Sequence, residues 1–173
     1  IDLAIHGPVK RAIRLIDGEP LRLASQIGLD SQTMSGEAST RLKLYFILEK
    51  TLTIDQVKVS AVSRMRNVSV ANAILGRGIS KANLDLTVDN RAMVVRGKVN
   101  VGSVPGSLEW RRNFEDKAPL RAEYVVRGTL TDRQRHDELG LDFPPFSHEF
   151  VSGPVGAELH WEVPASGEER MRA

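Results

Sequence analysis

The sequence predicts a mainly β protein of the α+β class, with one long, curved antiparallel sheet and two or three short helices. Apolar and polar residues alternate with a period of two over most of residues 34–130 and again over 153–163, as in strands that bury one face. The segments between these runs are too short for the crossover helices of a parallel sheet, which favours antiparallel meanders. Several runs are longer than the usual strand, so we expect a twisted sheet with the helices clustered at one end.

Two short helices are predicted near the start of the chain, in a helical preface that spans residues 8–28. Pro8 suits the first turn of the first helix, and Gly18 can end it. Pro20 begins a second helix that stops at Gly28. The inward faces of the two helices carry Val9, Ala12, Ile13, Ile16, Leu21, Ala24 and Ile27.

A third helix is predicted over residues 131–139. It opens with the capping-box pair Thr131 and Gln134 and ends before Gly140. Nearly all of its side chains are polar, so we expect it on the surface, with solvated charges that do not form a carboxylate pair for acid–base catalysis. These charges are Asp132, Asp137 and Glu138, together with Arg133 and Arg135.

Local signals mark the turns and one irregularity of the sheet. The apolar alternation shifts by one residue after Met65, which predicts a bulge near Asn67. Asp89-Asn90 and Gly102-Ser103 are predicted to turn the chain between successive strands. Four aromatic residues fall on inward positions, where they belong either to the core or to the wall of a site for an apolar ligand. These residues are Phe46, Trp110, Tyr124 and Trp161.

Two passages of the chain resemble each other. Residues 28–46 and 140–163 both run Gly-Leu-Asp, a polar link, Ser-Gly and then a strand-like alternation. Aligning Gly36 with Gly153 (153 − 36 = 117 residues) superimposes their inward positions. Repeats of this kind stack so that neighbouring units bury a continuous apolar face, and they serve as extended surfaces.

The repeat predicts how the chain is organised. One unit and the beginning of the next would be followed by a polar tail. The predicted ranges are 1–130 for one repeat unit (helical preface 8–28, antiparallel strands 34–130), 131–163 for the start of the next (helix 131–139, strand 153–163) and 164–173 for the tail. Because the chain starts at Ile1 and not at a methionine, we expect a segment excised from a longer protein.

The composition is that of a globular protein with a substantial core, since 41% of the residues are hydrophobic and 27% are charged. The 24 basic and 22 acidic side chains are interleaved and leave a net charge of +2, so we expect no nucleic-acid partner. The basic pairs Lys10-Arg11 and Arg111-Arg112 are predicted on solvated faces. The chain has no cysteine, which excludes disulfides and cysteine-ligated zinc, and no apolar run approaches the ~18 residues of a membrane span.

No motif predicts a catalytic or metal site. The four histidines have no second ligand at close spacing and are expected at the surface; they are His6, His136, His148 and His160. Gly76-Arg77-Gly78 lacks the strand and helix that flank a phosphate loop, and the Ser-Gly pairs open strands and not nucleophile elbows. The prediction is therefore a protein that is not an enzyme and holds no cofactor or metal.

The predicted apolar face is larger than the predicted helices can cover. The sheet presents inward apolar residues along each of its long strands, whereas two short helices carry a matching apolar face. The sheet could curl on itself, a neighbouring repeat could cover it, or it could bind lipid.

Several short motifs follow one another in a fixed order over residues 68–114. They are Val68-Ser69-Val70, Leu75-Gly76, Gly78-Ile79-Ser80, Leu84-Asp85-Leu86, Val95-Arg96-Gly97-Lys98-Val99, Gly102-Ser103-Val104-Pro105, Leu108-Glu109-Trp110 and Asn113-Phe114. With the helix, Gly-Leu-Asp and Ser-Gly that precede them, they resemble the AsmA-like proteins of Gram-negative envelopes, in particular the YhdP and TamB types. The resemblance spans most of residues 1–163.

The resemblance implies a function. AsmA-like proteins are long, taco-like β-structures with an apolar concave face, anchored at the inner membrane, that cross the periplasm and are implicated in moving phospholipid toward the outer membrane. We therefore expect a periplasmic, non-catalytic segment that shields or conducts phospholipid acyl chains, in a parent anchored in the inner membrane of a Gram-negative bacterium. Its partners would be phospholipid or another apolar chain, neighbouring repeats, and the membrane through an anchor outside this segment. The alternative is a structural or protein-interaction β-module in outer-membrane assembly.

Twelve inward residues are expected to line the repeat-like groove and to face lipid. They are Leu42, Leu44, Phe46, Val57, Val59, Leu84, Leu86, Val99, Leu108, Trp110, Leu159 and Trp161.

Overall fold

The computed structural model describes residues 1–17, 31–47, 56–74, 76–115, 117–141, 143–144, 147 and 149–172. Within them lie the strands β1 (Asp2–Pro8), β2 (Met34–Tyr45), β3 (Lys58–Ile74), β4 (Arg77–Asp89), β5 (Ala92–Val101), β6 (Val104–Asn113), β7 (Leu120–Leu130), β8 (Val155–Pro164) and β9 (Arg170–Arg172). The helical elements are α1 (Val9–Asp17), a 3₁₀ turn (Ser31–Thr33) and a π-helix (Gln134–Glu138). The second helix predicted between Pro20 and Gly28 lies outside the described residues.

The strands form one nine-stranded antiparallel sheet in which the spatial order is the order of the chain. Each inner strand pairs with its predecessor and its successor, so the sheet is a long meander with β1 and β9 at its edges. The prediction of a mainly β protein with a long antiparallel sheet and few short helices is confirmed. β3, at 17 residues, is far longer than the usual strand.

Alternation along the strands gives the sheet an apolar face and a polar face, because residues paired across strands point to the same side. One cross-strand row of the apolar face runs through Ile5, Thr40, Ser63, Leu86, Val95, Trp110, Tyr124, Trp161 and Met171. Val125 departs from the alternation, because it is buried on the polar face, opposite Glu109 and His160.

The core lies on the apolar face and is centred on the inner strands. We use the name core cluster for its buried members: Val9, Ala38, Met65, Val68, Ile79, Ala82, Leu84, Met93, Val95, Val99, Leu108 and Trp110. Half-buried residues, including Leu86, Phe114 and Tyr124, pack against this cluster. The core cluster therefore includes inward positions that the period-two pattern predicts in each of β3 to β6, such as Met65, Leu84, Val95 and Leu108.

The helices lie toward one end of the sheet, as predicted. Val9 and Ile13 place α1 against the core cluster, beside the ends of β1 and β2. The π-helix contacts the same end, where Arg77 donates to the carbonyl oxygen of Glu138 and Gln134 Nε2 donates to Ser103 O at 3.1 Å. We call this the helix end, and we call the opposite end, with the β4–β5 turn, the far end.

The turns and the bulge lie where the sequence predicts them. Asn67 has a φ of +50°, and the pairing of β3 with β4 shifts between Met65 and Val68. The carboxylate of Asp89 accepts hydrogen bonds from the backbone N–H groups of Arg91 and Ala92, at 2.7 and 2.9 Å, and so closes the β4–β5 turn.

The capping box of the third helix is also confirmed. Gln134 N donates to Thr131 Oγ1 at 3.3 Å, and Thr131 N donates to Gln134 Oε1 at 2.9 Å. The prediction that this helix lies on the surface is wrong at Arg135, which is 0% exposed. Its guanidinium binds Asp132 and donates to Val151 O and Gly153 O, at 2.9 and 2.8 Å.

The predicted boundary after residue 130 falls inside a single sheet, since β7 and β8 pair as neighbours on either side of the π-helix. β1, α1 and β2 follow the same order of strand, helix and antiparallel strand. The tail predicted over residues 164–173 contains β9, which pairs with β8 through Trp161 and Met171. That these parts are repeats of one unit stays a prediction.

Candidate functional site

The most distinctive feature of the apolar face is a stack of three aromatic rings on adjacent strands, which we call the aromatic ladder. Trp110 on β6 stacks on Tyr124 of β7 with ring centroids 5.5 Å apart and an interplanar angle of 12°. Tyr124 stacks in turn on Trp161 of β8, at 5.0 Å and 26°. The three residues are direct cross-strand partners, so the pairing of the sheet itself imposes the stack.

The aromatic ladder runs from the core to a half-exposed margin. Trp110 is only 9% exposed, whereas Tyr124 and Trp161 are half-buried. Beyond Trp161 the row ends at Met171, which is 48% exposed, and the indole Nε1 of Trp161 donates to Glu169 Oε2 at 3.0 Å. The ladder thus offers an apolar surface at its β8 end.

The Tyr124 phenol lies in a largely apolar setting, with the charges of Arg112 and Glu169 near it. Burial raises the pKa of Tyr124 above its ordinary value of 10.0, and the positive charge of Arg112 partly offsets this increase. The phenol is therefore uncharged at neutral pH, which keeps the middle of the ladder free of negative charge.

Ten of the twelve residues expected to face lipid lie in strands, and the pairing register places all ten on the apolar face. They are Leu42, Leu44, Val59, Leu84, Leu86, Val99, Leu108, Trp110, Leu159 and Trp161. Phe46 and Val57 lie just outside β2 and β3 and are half-buried.

Burial divides these residues into two groups. Leu84, Val99, Leu108 and Trp110 belong to the core cluster, and Leu86 packs against it. The remaining strand residues are half-buried and lie outside the cluster, toward the two edges of the sheet: Leu42, Leu44, Val59, Leu159 and Trp161. The centre of the apolar face is therefore protein core, and its margins are the part that a ligand can reach.

Arg112 lies on the apolar face, so the prediction that it lies on a solvated face is wrong. Along β6 it follows Trp110 with the same parity, and its cross-strand partners are Met93 and Ala122, both buried. Arg112 itself is half-buried, whereas its neighbour Arg111 is exposed on the polar face. The sequence did indicate this position, because Leu108, Trp110 and Arg112 are two residues apart and therefore lie on the same face of a strand.

The polar face carries several exposed ion pairs between neighbouring strands. Arg41 binds Asp2 at 2.7 Å, Arg96 binds Glu109 at 2.6 Å, and Arg127 binds Glu158 at 2.8 Å. The pKa of each carboxylate is lowered, chiefly by the hydrogen bond from its arginine. These pairs keep the polar face hydrated, and each contributes little to the free energy of unfolding.

A concavity of about 710 Å³ lies mainly on the polar face, over β1 to β4. In it His6 Nδ1 and Ser39 Oγ are 2.7 Å apart, in an exposed hydrogen bond across β1 and β2. His6 lies near one edge of the sheet and His160, on β8, near the other, while His148 lies outside the described residues. Within the part of the chain that the structure describes, no three His, Asp or Glu side chains are grouped to hold a metal ion.

None of the helices in the described ranges is long and apolar enough to span a membrane. Comparison of the chain with protein-family models, with curated proteins and with solved structures gives no match.

Proposed function

We propose that this chain is a non-catalytic segment of a cell-envelope protein, and that the margins of its apolar face shield the acyl chains of phospholipid from water. The observation that carries the proposal is the division of the apolar face into a buried centre and half-exposed margins. A rigid core with apolar edges can hold hydrocarbon without a closed pocket.

The energetics of such a surface suit passive shielding. Covering an acyl chain removes about 0.8 kcal/mol of unfavourable hydration per CH₂ group. The side chains available are short, branched or flat. They belong to Leu42 and Leu44 on β2, Val59 on β3, and Leu159 and Trp161 on β8. A chain lying on either margin would bury several methylenes while its head group stayed in water.

The order of motifs over residues 68–114 supports the cellular setting, through its resemblance to AsmA-like envelope proteins. On that basis we propose a periplasmic location, in a parent chain anchored in the inner membrane of a Gram-negative bacterium. The curved, repeat-like groove is part of the same proposal, with neighbouring repeats of the parent extending the apolar face.

Site-specific photo-crosslinking tests the proposal. A benzophenone amino acid is placed at Leu44 or Leu159 on the apolar face, and at the controls Tyr45 or Arg111 on the polar face, and each variant is irradiated with radiolabelled phospholipid. We expect lipid adducts at Leu44 and Leu159 and none at the controls. Equal labelling of both faces, or no labelling at all, would overturn the proposal.

The second candidate is a protein-interaction module, and the edges of the described sheet favour it. The outer edge of β1 presents backbone N–H and C=O groups that could pair with a strand of another protein. Substituting proline for Ala4 or His6, whose backbone N–H groups point away from β2 in this register, would abolish such pairing and leave lipid labelling at Leu159 unchanged. Loss of lipid labelling in those variants would argue against this alternative.

A further inference from the structure

We infer that the outer edge of β1 pairs with β1 of a second copy of this chain, in an antiparallel register centred on Ala4. The inference goes beyond the proposed function, because the edge would pair whether or not the apolar face holds lipid. It commits the edge that the second candidate function uses to one partner.

The outer edge of β1 is open along most of its length. Most of its residues are exposed in the described chain, namely Asp2, Leu3, Ala4 and His6. The helix α1, which follows β1, turns inward, since Val9 is buried in the core cluster and α1 lies against β2. The pairing of β1 with β2 has no bulge, so the edge presents a regular row of backbone groups.

The hydrogen bonds between β1 and β2 establish which backbone groups face outward. Ile1 N donates to Leu44 O at 2.8 Å, and Leu44 N donates to Ile1 O at 2.9 Å. Every second residue counted from Ile1 therefore bonds to β2. The residues between them direct their N–H and C=O groups away from the sheet, and these are Asp2, Ala4 and His6.

These three residues form a self-complementary row. In an antiparallel pairing centred on Ala4, Ala4 lies opposite its own copy, and Asp2 lies opposite His6 of the second copy. Each of the three then joins a pair that exchanges both backbone hydrogen bonds. An acidic side chain faces a basic one on either side of the centre, which favours this register, since like charges placed opposite each other destabilise a sheet. Pro8, which has no N–H group, lies outside it.

The same register joins the apolar faces of the two copies. Leu3 lies opposite Ile5 of the second copy in a pair without mutual hydrogen bonds, where side chains approach most closely. Leu3 is 43% exposed in the single chain, so the pairing would cover apolar surface that is otherwise in water. Both residues lie on the apolar face, and the half-exposed margin at β1 and β2 would become the middle of one wide apolar surface.

The opposite edge of the described sheet is built differently. The strand β9 has three exposed residues, and two of them are Arg170 and Arg172. Short length and charge are common protections of edge strands, and pairing of β9 with its own copy about Met171 would set the two arginines against each other. The strand β1 has seven residues, and its proline is the last of them. Pairing through β1 uses the same edge in both copies, so it closes at a dimer.

Sedimentation velocity over a range of concentrations tests the association. A single pair of strands is a small interface, so we expect a dimer at about 100 µM and a monomer at about 1 µM. Ala4→Pro removes the outward N–H group at the centre of the register and should stay monomeric at the higher concentration. Ala4→Ser keeps that N–H group and should dimerise as the original chain does. A melting curve of each variant checks that it is folded.

Single cysteines test the register, since the chain has no cysteine of its own. At the higher concentration and under mild oxidation, Ala4→Cys should form a linked dimer, because the two Cα atoms of such a pair lie about 5.5 Å apart. Asp2→Cys should link to His6→Cys when the two variants are mixed. It should not link to itself, because the two copies of residue 2 would lie about 14 Å apart. Mass spectrometry identifies the linked pairs.

The outcomes separate this inference from the proposed function. A chain that stays monomeric at the higher concentration overturns the inference, and so does a dimer that survives Ala4→Pro. Species larger than a dimer would mean head-to-tail pairing, and Asp2→Cys that links to itself as fast as to His6→Cys would mean a different register; both overturn it. If Ala4→Pro does not fold, the cysteine variants still decide the question. Lipid labelling at Leu159 is measured separately, so its failure would contradict the proposed function alone.

Discussion

Gly97 of β5 lies directly against the carbonyl oxygen of Asn83 on β4. A Cβ atom at Gly97 would be 2.0 Å from that oxygen and 2.9 Å from the Cα of Leu84, both of them backbone atoms that cannot swing aside. The absence of a side chain at Gly97 is thus what allows β4 and β5 to pair closely beside the shift in their register between Ser80 and Asn83.

Replacing Gly97 with alanine should therefore destabilise the sheet strongly. We expect Gly97→Ala to lower the free energy of unfolding by about 3 kcal/mol, as for other backbone clashes in a core. Gly156 in β8 is the matched control, because an added Cβ would meet no atom within 4 Å. Urea denaturation should show Gly156→Ala within about 0.5 kcal/mol of the original chain. Equal midpoints for the two variants would contradict the close approach.

The buried Arg135 should hold the connection that leads into β8. Arg135→Met removes the hydrogen bonds to Val151 O and Gly153 O and leaves Asp132 without its cation, which we expect to cost about 3 kcal/mol. Arg133→Met, at an 85% exposed position of the same segment, is the control and should change stability little. Hydrogen exchange should speed up around Gly153 in the first variant and not in the second.

The division of the apolar face into core and margin predicts different costs for the same substitution. Leu108→Asp places a carboxylate in the core cluster and should unfold the protein or cost several kcal/mol. Leu44→Asp, at the margin, should cost about 1 kcal/mol, and Tyr45→Asp, 67% exposed on the polar face, almost nothing. Thermal melts of the three variants measure this order. A Leu44→Asp variant as unstable as Leu108→Asp would mean that the margin is also closed core.

The ion pair between Arg96 and Glu109 predicts a small, acid-sensitive contribution to stability. The arginine lowers the pKa of Glu109 below its ordinary value of 4.5, so the folded state favours the ionised carboxylate. The contribution is therefore present above about pH 4.5 and is lost as the pH falls through the lowered pKa of the folded state. A double-mutant cycle with Arg96→Gln and Glu109→Gln should give a coupling energy at neutral pH that disappears in acid. Coupling that persists in acid would exclude the ionised pair as its source.

The alternation of side chains was enough to predict a mainly β protein with one long antiparallel sheet. A period of two fixes which residues share a face, and Asp89, Gly102 and Asn67 have the turn and bulge preferences that separate the strands. Because the strands follow one another in the meander, the order in the chain also supplied the order in space. For the aromatic ladder, the sequence predicted only that its residues point inward. Which rings stack on each other depends on the register between strands, and the alternation does not specify that register.

The sequence analysis placed two arginines, Arg112 and Arg135, wrongly. Arg112 was assigned to a solvated face because charged pairs usually lie there, although its parity with Trp110 pointed inward. Arg135 gave no such signal, because its burial depends on Val151 and Gly153, about 16 to 18 residues away along an irregular connection. A charged residue is exposed to solvent in most cases, but Arg135 is buried because the carbonyl oxygens of Val151 and Gly153 accept its hydrogen bonds.

The strand order also determines how the molecule would respond to tension. Each described strand is hydrogen-bonded to the strands that precede and follow it, so a force applied at the two ends of the chain acts first on the edge strands. Hydrogen bonds between β1 and β2 would then open one after another, as in unzipping, and would not resist together. The sheet should extend in a series of small steps at low force, and single-molecule pulling would record those steps in place of one large rupture.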